Sequence, residues 1–123
     1  MRGTIKHNGE IADMFDTAWR VHTDCIMALI KKTEERRGLD SRVAFIAGKK
    51  LGSAPVRNKA KRRMREAAAL SNAPWTGYDM VFVAKNTINS VGFDKVLNDI
   101  EQIRSELSKK TDRQASEDSK IHI

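Results

Sequence analysis

Six cationic side chains stand within nine residues of this chain: Arg57, Lys59, Lys61, Arg62, Arg63 and Arg65, with Asn58 among them. Guanidinium groups fork onto phosphate oxygens, ammonium groups meet them as point charges, and an Asn amide offers a donor and an acceptor to a sugar or base edge. The chemistry in such a run is the holding of a polyanion. Bond-making groups show no comparable pattern. His7, His22 and His122 are scattered, no Cys/His spacing suits a metal, and no Ser or Cys has an evident base. Asp13, Asp16, Asp24 and Asp79 could converge in a fold, but helix-surface charge and turns at strand starts account for them more simply. The stretch AGKKLGSA, residues 47–54, approaches a phosphate-binding loop yet lacks the Lys-Ser/Thr pair after its second glycine. That argues against nucleotide hydrolysis and a nucleotide cofactor.

The basic run must be presented by a helix. Ser53 and Pro55 suit a helix start, and Asn72, Pro74 and Gly77 stop it. Projected at about 100° per residue, Val56, Ala60, Met64, Ala67 and Leu70 share one face. Arg57, Asn58, Lys61, Arg62 and Arg65 fall on the opposite face, with Lys59 and Arg63 at the margin, where their stems cover the seam and their heads reach water. A merely solvated helix interleaves Glu at i,i+4 to cancel repulsion, whereas the first acid here is Glu66. A nucleic acid relieves that repulsion most economically; a solvated face and an acidic protein partner are the alternatives. Lys49 and Lys50 extend the patch from the end of the preceding strand.

The distribution of charge over the 123 residues supports this. Of 23 Lys and Arg residues, eight lie between Gly48 and Glu66 against one acid, and the formal net charge of the whole chain is +7. The remainder is therefore neutral, a balanced body carrying one basic device. A composition 40% hydrophobic and 32% charged suits one soluble domain. No apolar run approaches a membrane span and Met1–Glu10 has no secretion-signal core, so the expectation is a cytoplasmic protein with no membrane partner. The single Cys25, in CIMALI, reads as a buried structural thiol.

Elsewhere, Ile11, Met14, Phe15 and Ala18 form the stripe of a short helix that Asn8 or Gly9 could cap. TDCIMALIKK, RVAFIAGKK and YDMVFVAK read as strands, the second as central because both faces are apolar, with Thr33–Ser41 expected as a hairpin loop joining the first two. Phe93, Val96, Leu97, Ile100, Ile103 and Leu107 have the spacing of a long amphipathic helix. The order describes an α+β sandwich, domain 1–108, and 109–123 is expected as a disordered tail.

The motifs GKKLGSAPVRNKAKRRMREA and GYDMVFVAK together resemble the bacterial ribonuclease P protein subunit family. Its hallmark is a strand ending in Lys-Lys, a Gly-containing turn, then Arg-Asn-basic, Lys-Arg and Arg-Glu or Arg-Gln on a helix. Here these are Lys49-Lys50, Gly52, Arg57-Asn58-Lys59, Lys61-Arg62 and Arg65-Glu66, followed by Gly77-Tyr78-Asp79 before the apolar strand. Over residues 8 to 107 the resemblance implies a two-layer sandwich, a small mixed central sheet with covering helices and a left-handed βαβ crossover. It also implies the function of a ribonuclease P subunit, promoting Mg2+-dependent endonucleolytic removal of the 5′ leader of precursor tRNA. The catalytic groups, and most of the Mg2+, would then belong to a catalytic RNA subunit, the ribonuclease P RNA. Lys49, Lys50, Arg57, Asn58, Lys59, Lys61, Arg62 and Arg65 would bind that RNA, and Ile11, Phe15, Met27, Leu29 and Lys50 would line a cleft for the leader. The chain departs from the family pattern in having Ile11 for an aromatic, Ala18 for a glycine, and a lead-in of only Arg2, Lys6 and His7. A ribosomal or RNA-chaperone protein with the same helix, adding nothing to leader cleavage, is the other reading.

Overall fold

A computed structural model describes the chain over residues 3–5, 8–33 and 40–121, with side chains over 5, 9–33 and 40–110. The expected basic lead-in and most of the loop after the first long strand lie outside the described residues. In chain order the elements are β1 (Gly3–Thr4), α1 (Asn8–Thr17), β2 (Trp19–His22), β3 (Ile26–Lys32), β4 (Arg42–Ile46), a 3-10 turn (Lys49–Leu51), α2 (Ala54–Leu70), β5 (Tyr78–Ala84) and α3 (Phe93–Ile121). The three long strands and three helices follow the periodicities of the sequence; the short β1 and β2 carry too few residues to have a legible period.

The sheet order is β1-β4-β5-β3-β2. β4 runs parallel to β5, and β3 antiparallel to it. Two expectations are corrected here. β3 and β4 do not form a hairpin, because β5 lies between them, and β5 rather than β4 is the middle strand. β4 needs two apolar faces anyway, since helices cover both sides of the sheet.

Strand parity divides the core. Ile26, Ala28, Ile30, Val43, Phe45, Met80 and Phe82 face α2 and α3, where Ala60, Met64, Ala67, Val96, Ile100 and Ile103 meet them. Met27, Leu29, Ala44, Ile46, Val81 and Val83 face α1. The main sandwich is α2 and α3 on the sheet, with α1 on the opposite face. A ten-residue helix is too short to persist alone in water, so tertiary contacts hold α1: Met14 is buried on Leu29 and Val81, and Glu10 and Asp13 reach Arg42 and Lys31 at 2.8 and 3.1 Å.

The Gly-x-Asp motif anchors the chain where β3 and β4 meet the connecting segment. The Gly77 carbonyl accepts from Thr33 N, while buried Asp79 Oδ1 accepts from Arg42 N at 3.0 Å and Thr33 Oγ1 at 3.2 Å. α2 ends in a Schellman motif with Asn72 at φ 62°: Ala73 N donates to Ala68 O and Asn72 N to Ala69 O. Val56 and Leu70, assigned above to the anchored face, are 37% and 65% exposed, and Ala68 is buried instead. They sit near the ends of α2, beyond the part of the helix that the sheet and α3 cover.

α3 is tied to the β2–β3 turn by a buried polar knot. Asp99 Oδ2 accepts from the Cys25 amide at 3.0 Å and from the Cys25 thiol at 2.9 Å, and Asp99 Oδ1 meets Lys95 Nζ at 2.9 Å. Burial pushes the Asp99 carboxyl up, but the hydrogen bonds from the Cys25 thiol, Lys95, the Cys25 amide and Thr23 outweigh it and leave the group below its ordinary value. Burial, the hydrogen bond to Asp99 and that carboxylate's charge push the Cys25 thiol up to about 12, so it stays protonated and donates. The helix continues to Ile121, through residues expected above to be disordered. No Gly or Pro interrupts 93–121, and extending a helix already nucleated costs less than starting one. Among the described residues, no helix is long and apolar enough to cross a membrane.

Candidate nucleic-acid interface

The approach to the basic helix is a forced turn. After β4 the chain makes the 3-10 turn bearing Lys49 and Lys50, then passes Gly52 at φ 135°, ψ −150°, a region that a side chain rarely adopts. Gly52→Ala therefore costs about 1–3 kcal/mol, measurable by denaturant unfolding. Ser53 holds the cap position with extended backbone, but its hydroxyl makes no capping bond; Arg57 N donates to Ser53 O instead.

The cations of α2 divide by what they touch. Arg57 Nε donates to Ala47 O at 3.1 Å, pinning the start of α2 to the end of β4. The Arg65 guanidinium carbon lies 5.6 Å from the centroid of the half-buried Phe45 ring, and Phe45 stacks on buried Phe82, so an exposed cation is held on an aromatic base. Lys49, Lys50, Asn58, Lys59 and Arg62 are exposed and Lys61 is half-buried. Among the described residues, no carboxylate pairs with any cation from Lys49 to Arg65. The cations expected to bind RNA thus carry charge that no described carboxylate cancels.

Arg63 is different. Half-buried, it turns its head onto the protein, donating to Ile88 O at 2.7 Å and Val91 O at 2.6 Å and satisfying carbonyls in the turn before α3. A buried charged donor is worth about 1.5–3 kcal/mol, and solvent screening at this half-buried site reduces the sum of the two bonds. Arg63→Ala should lower stability by about 2 kcal/mol, read from thermal unfolding, with little direct effect on nucleic-acid contacts.

The opposite face of the sheet carries a second surface. Cross-strand partners share a face, so three rows run across β3, β5 and β4: Lys31–Asp79–Arg42, Leu29–Val81–Ala44 and Met27–Val83–Ile46. Glu10 pairs with Arg42 on β4 and Asp13 with Lys31 on β3, so α1 lies across the strands with one flank on the charged row. A cavity of about 330 Å3 opens there, where Glu10, Asp13 and Asp79 face Lys31 and Arg42. Met14 covers the middle row. The other flank, Ile11, Phe15 and Ala18, meets Met27, Val83 and Ile46, all of them half-buried.

Of the residues expected to line a cleft, Ile11, Phe15 and Met27 come together on this open flank. Leu29 does not reach it, being 0% exposed beneath the helix. Lys50 is exposed in the turn that follows Ile46 at the end of β4. Val83 and Ile46, not singled out from the sequence, share this flank, and their alternation with core residues was the available signal. Of the aspartates read above as surface and turn charges, Asp13 and Asp79 line the cavity facing Lys31 and Arg42, and Asp24 pairs with Lys95.

Comparison with known proteins agrees with this geometry. A family model described as Ribonuclease P matches residues 2–108. The "Ribonuclease P protein component" of Symbiobacterium thermophilum is 36% identical over 80 residues, 62% of this chain and 67% of that protein. That of Citrifermentans bemidjiense is 31% identical over 101 residues, 82% and 84% of the two chains. Among solved structures, the RNase P protein of Staphylococcus aureus superposes with a TM-score of 0.73 at 22% identity, covering 86% of this chain and 94% of that one. The RNase P protein of Thermotoga maritima gives 0.65 at 21%, covering 80% and 96%. The chain belongs to the ribonuclease P protein family, the protein component of the tRNA-processing endoribonuclease in which RNA carries the catalysis.

Proposed function

We propose that this protein binds ribonuclease P RNA through Lys49, Lys50 and the outer face of α2, and receives the 5′ leader of precursor tRNA on the open flank of α1. The carrying observation is the adjacency of the two surfaces: the half-buried row ends at Ile46, and the unpaired cations begin in the turn that follows. Arg57, Lys61, Arg62 and Arg65 neutralise phosphates of the RNA subunit, and Asn58 reaches a sugar or base edge. Phe15 offers the aromatic face on which a leader base stacks, while Ile11, Met27, Val83 and Ile46 give apolar contact. Residues 1–108 are the unit we assign this work to.

Mg2+ supplies charge neutralisation, and a polarised nucleophile, for phosphodiester hydrolysis. Among the described residues, no cluster of carboxylates, His or Cys could hold a metal ion, and Glu10, Asp13, Asp24, Asp79 and Asp99 each face a Lys or Arg. The described donors do not fit the ion, so we place it on RNA and substrate.

The deciding experiment is cleavage of a 5′-extended precursor tRNA at low Mg2+ with a bacterial ribonuclease P RNA alone, the protein alone, and both. Cleavage much faster with both is expected; no gain over RNA alone, with folded protein, would overturn the reading. Phe15→Ala should raise the precursor Kd of the assembled enzyme about 5- to 100-fold, as loss of one base stack worth about 1–3 kcal/mol implies. RNA-subunit affinity should hold, and circular dichroism would expose any loss of fold that reassigns Phe15 to the core.

A further inference from the structure

The open row beside α1 extends one strand further. Pairing of β2 with β3 sets His22 opposite Met27 and Arg20 opposite Leu29, so both side chains stand on the α1 face at the edge remote from β4. Arg20 is exposed, its guanidinium carbon 5.9 Å from the Phe15 ring centroid, and its NH2 group donates to the Phe15 carbonyl. Among the described residues, no carboxylate pairs with it. Arg20 is thus an oriented cation with no carboxylate partner among the described residues, fixed beside the Phe15 ring.

The surface from β4 to β2 spans three strand spacings, roughly 14 Å. Its floor is apolar, from Ile46 through Val83 to Met27, with His22 ending the row on β2; Lys49 and Lys50 follow the β4 end, and at the β2 end Arg20, paired with Leu29 in the neighbouring row, carries its head to Phe15. Single-stranded nucleic acid has the matching pattern, with apolar base faces flanked by phosphates. The α2 surface continues from the β4 end, so that end adjoins the RNA subunit and the β2 end is distal.

We propose that Arg20 is a distal phosphate contact for the leader, engaged only by a leader long enough to cross the sheet, and therefore a determinant of leader-length preference. The proposal rests on the leader reading above. The competing role is structural, a cation capping the last turn of α1 through the Phe15 carbonyl. The two roles separate by leader length, because a cap is indifferent to it.

The test uses Arg20→Gln, which keeps an N–H donor for the Phe15 carbonyl and removes the charge, with Arg20→Lys as the charge-retaining control. Precursor tRNA affinities of the enzyme reconstituted with a bacterial ribonuclease P RNA are measured for a one-nucleotide leader and for one of about ten nucleotides, within the reach of single-strand binding surfaces. One phosphate contact to a single strand contributes a salt slope of about 0.7, or about fivefold at 0.1 M salt. The long-to-short affinity ratio should fall about fivefold in Arg20→Gln and recover in Arg20→Lys. An unchanged ratio, whether both affinities hold or both fall together, overturns the proposal. If the unaltered protein itself gives no preference for the long leader over RNA alone, the leader reading fails and the proposal with it.

Discussion

Replacing Lys59, Lys61 and Arg62 together with alanine should lower affinity for ribonuclease P RNA about 500-fold at 0.1 M salt, while leaving the fold as stable as before or slightly more so. Each phosphate neutralised on a duplex contributes a slope of about −0.9 in log K against log salt, nearly tenfold per contact between 1 M and 0.1 M. Three such contacts multiply to the figure given, and the salt slope should flatten by about three. None of the three side chains bonds to another part of the protein among the described residues. Removing them relieves like-charge neighbours at i,i+3 and i,i+4, at a few tenths of a kcal/mol each, and introduces the best helix former. Opposite movements of affinity and stability separate an RNA-binding face from a structural one. Titrations over a salt series with a thermal melt supply both numbers; retained affinity and slope would remove these residues from the interface.

Asp99→Ala should cost about 3 kcal/mol of stability, the largest effect expected from any single residue discussed here. The substitution strands the Cys25 amide and thiol in a site where Cys25 is 0% exposed, while Lys95 keeps Asp24 at 2.8 Å. Against a total of about 5–15 kcal/mol for a domain, that is a lowering of Tm by about 12 °C. The same carboxylate gives a sign for acid. Its folded-state pKa is depressed, so its contribution is fully present above the unfolded value of about 3.9 and fades as pH falls through the lower folded value. Asp99→Ala should therefore flatten the loss of stability below about pH 4. A mutant that melts like the parent, with the same acid profile, would show the knot to be dispensable.

Local patterns in the sequence determined a good deal. The stripe Val96, Ile100, Ile103 and Leu107 is the buried face of α3, and the alternation of Val43 and Phe45 against Ala44 and Ile46 divides the two cores as read. The uncompensated run from Arg57 to Arg65 was legible as a basic helix face, because charge and helical spacing are properties of adjacent residues. Pairings between distant residues were not legible. Met27 meets Val83, and Val83 meets Ile46, only because β5 inserts between β3 and β4, and no local period records strand order. That insertion makes the open row beside α1, and it sinks Leu29 below it. The division among the arginines is tertiary for the same reason. Arg63 and Arg62 are adjacent and chemically identical, yet one satisfies the carbonyls of Ile88 and Val91 while the other faces solvent, because a cation takes whichever acceptor the fold brings within its reach.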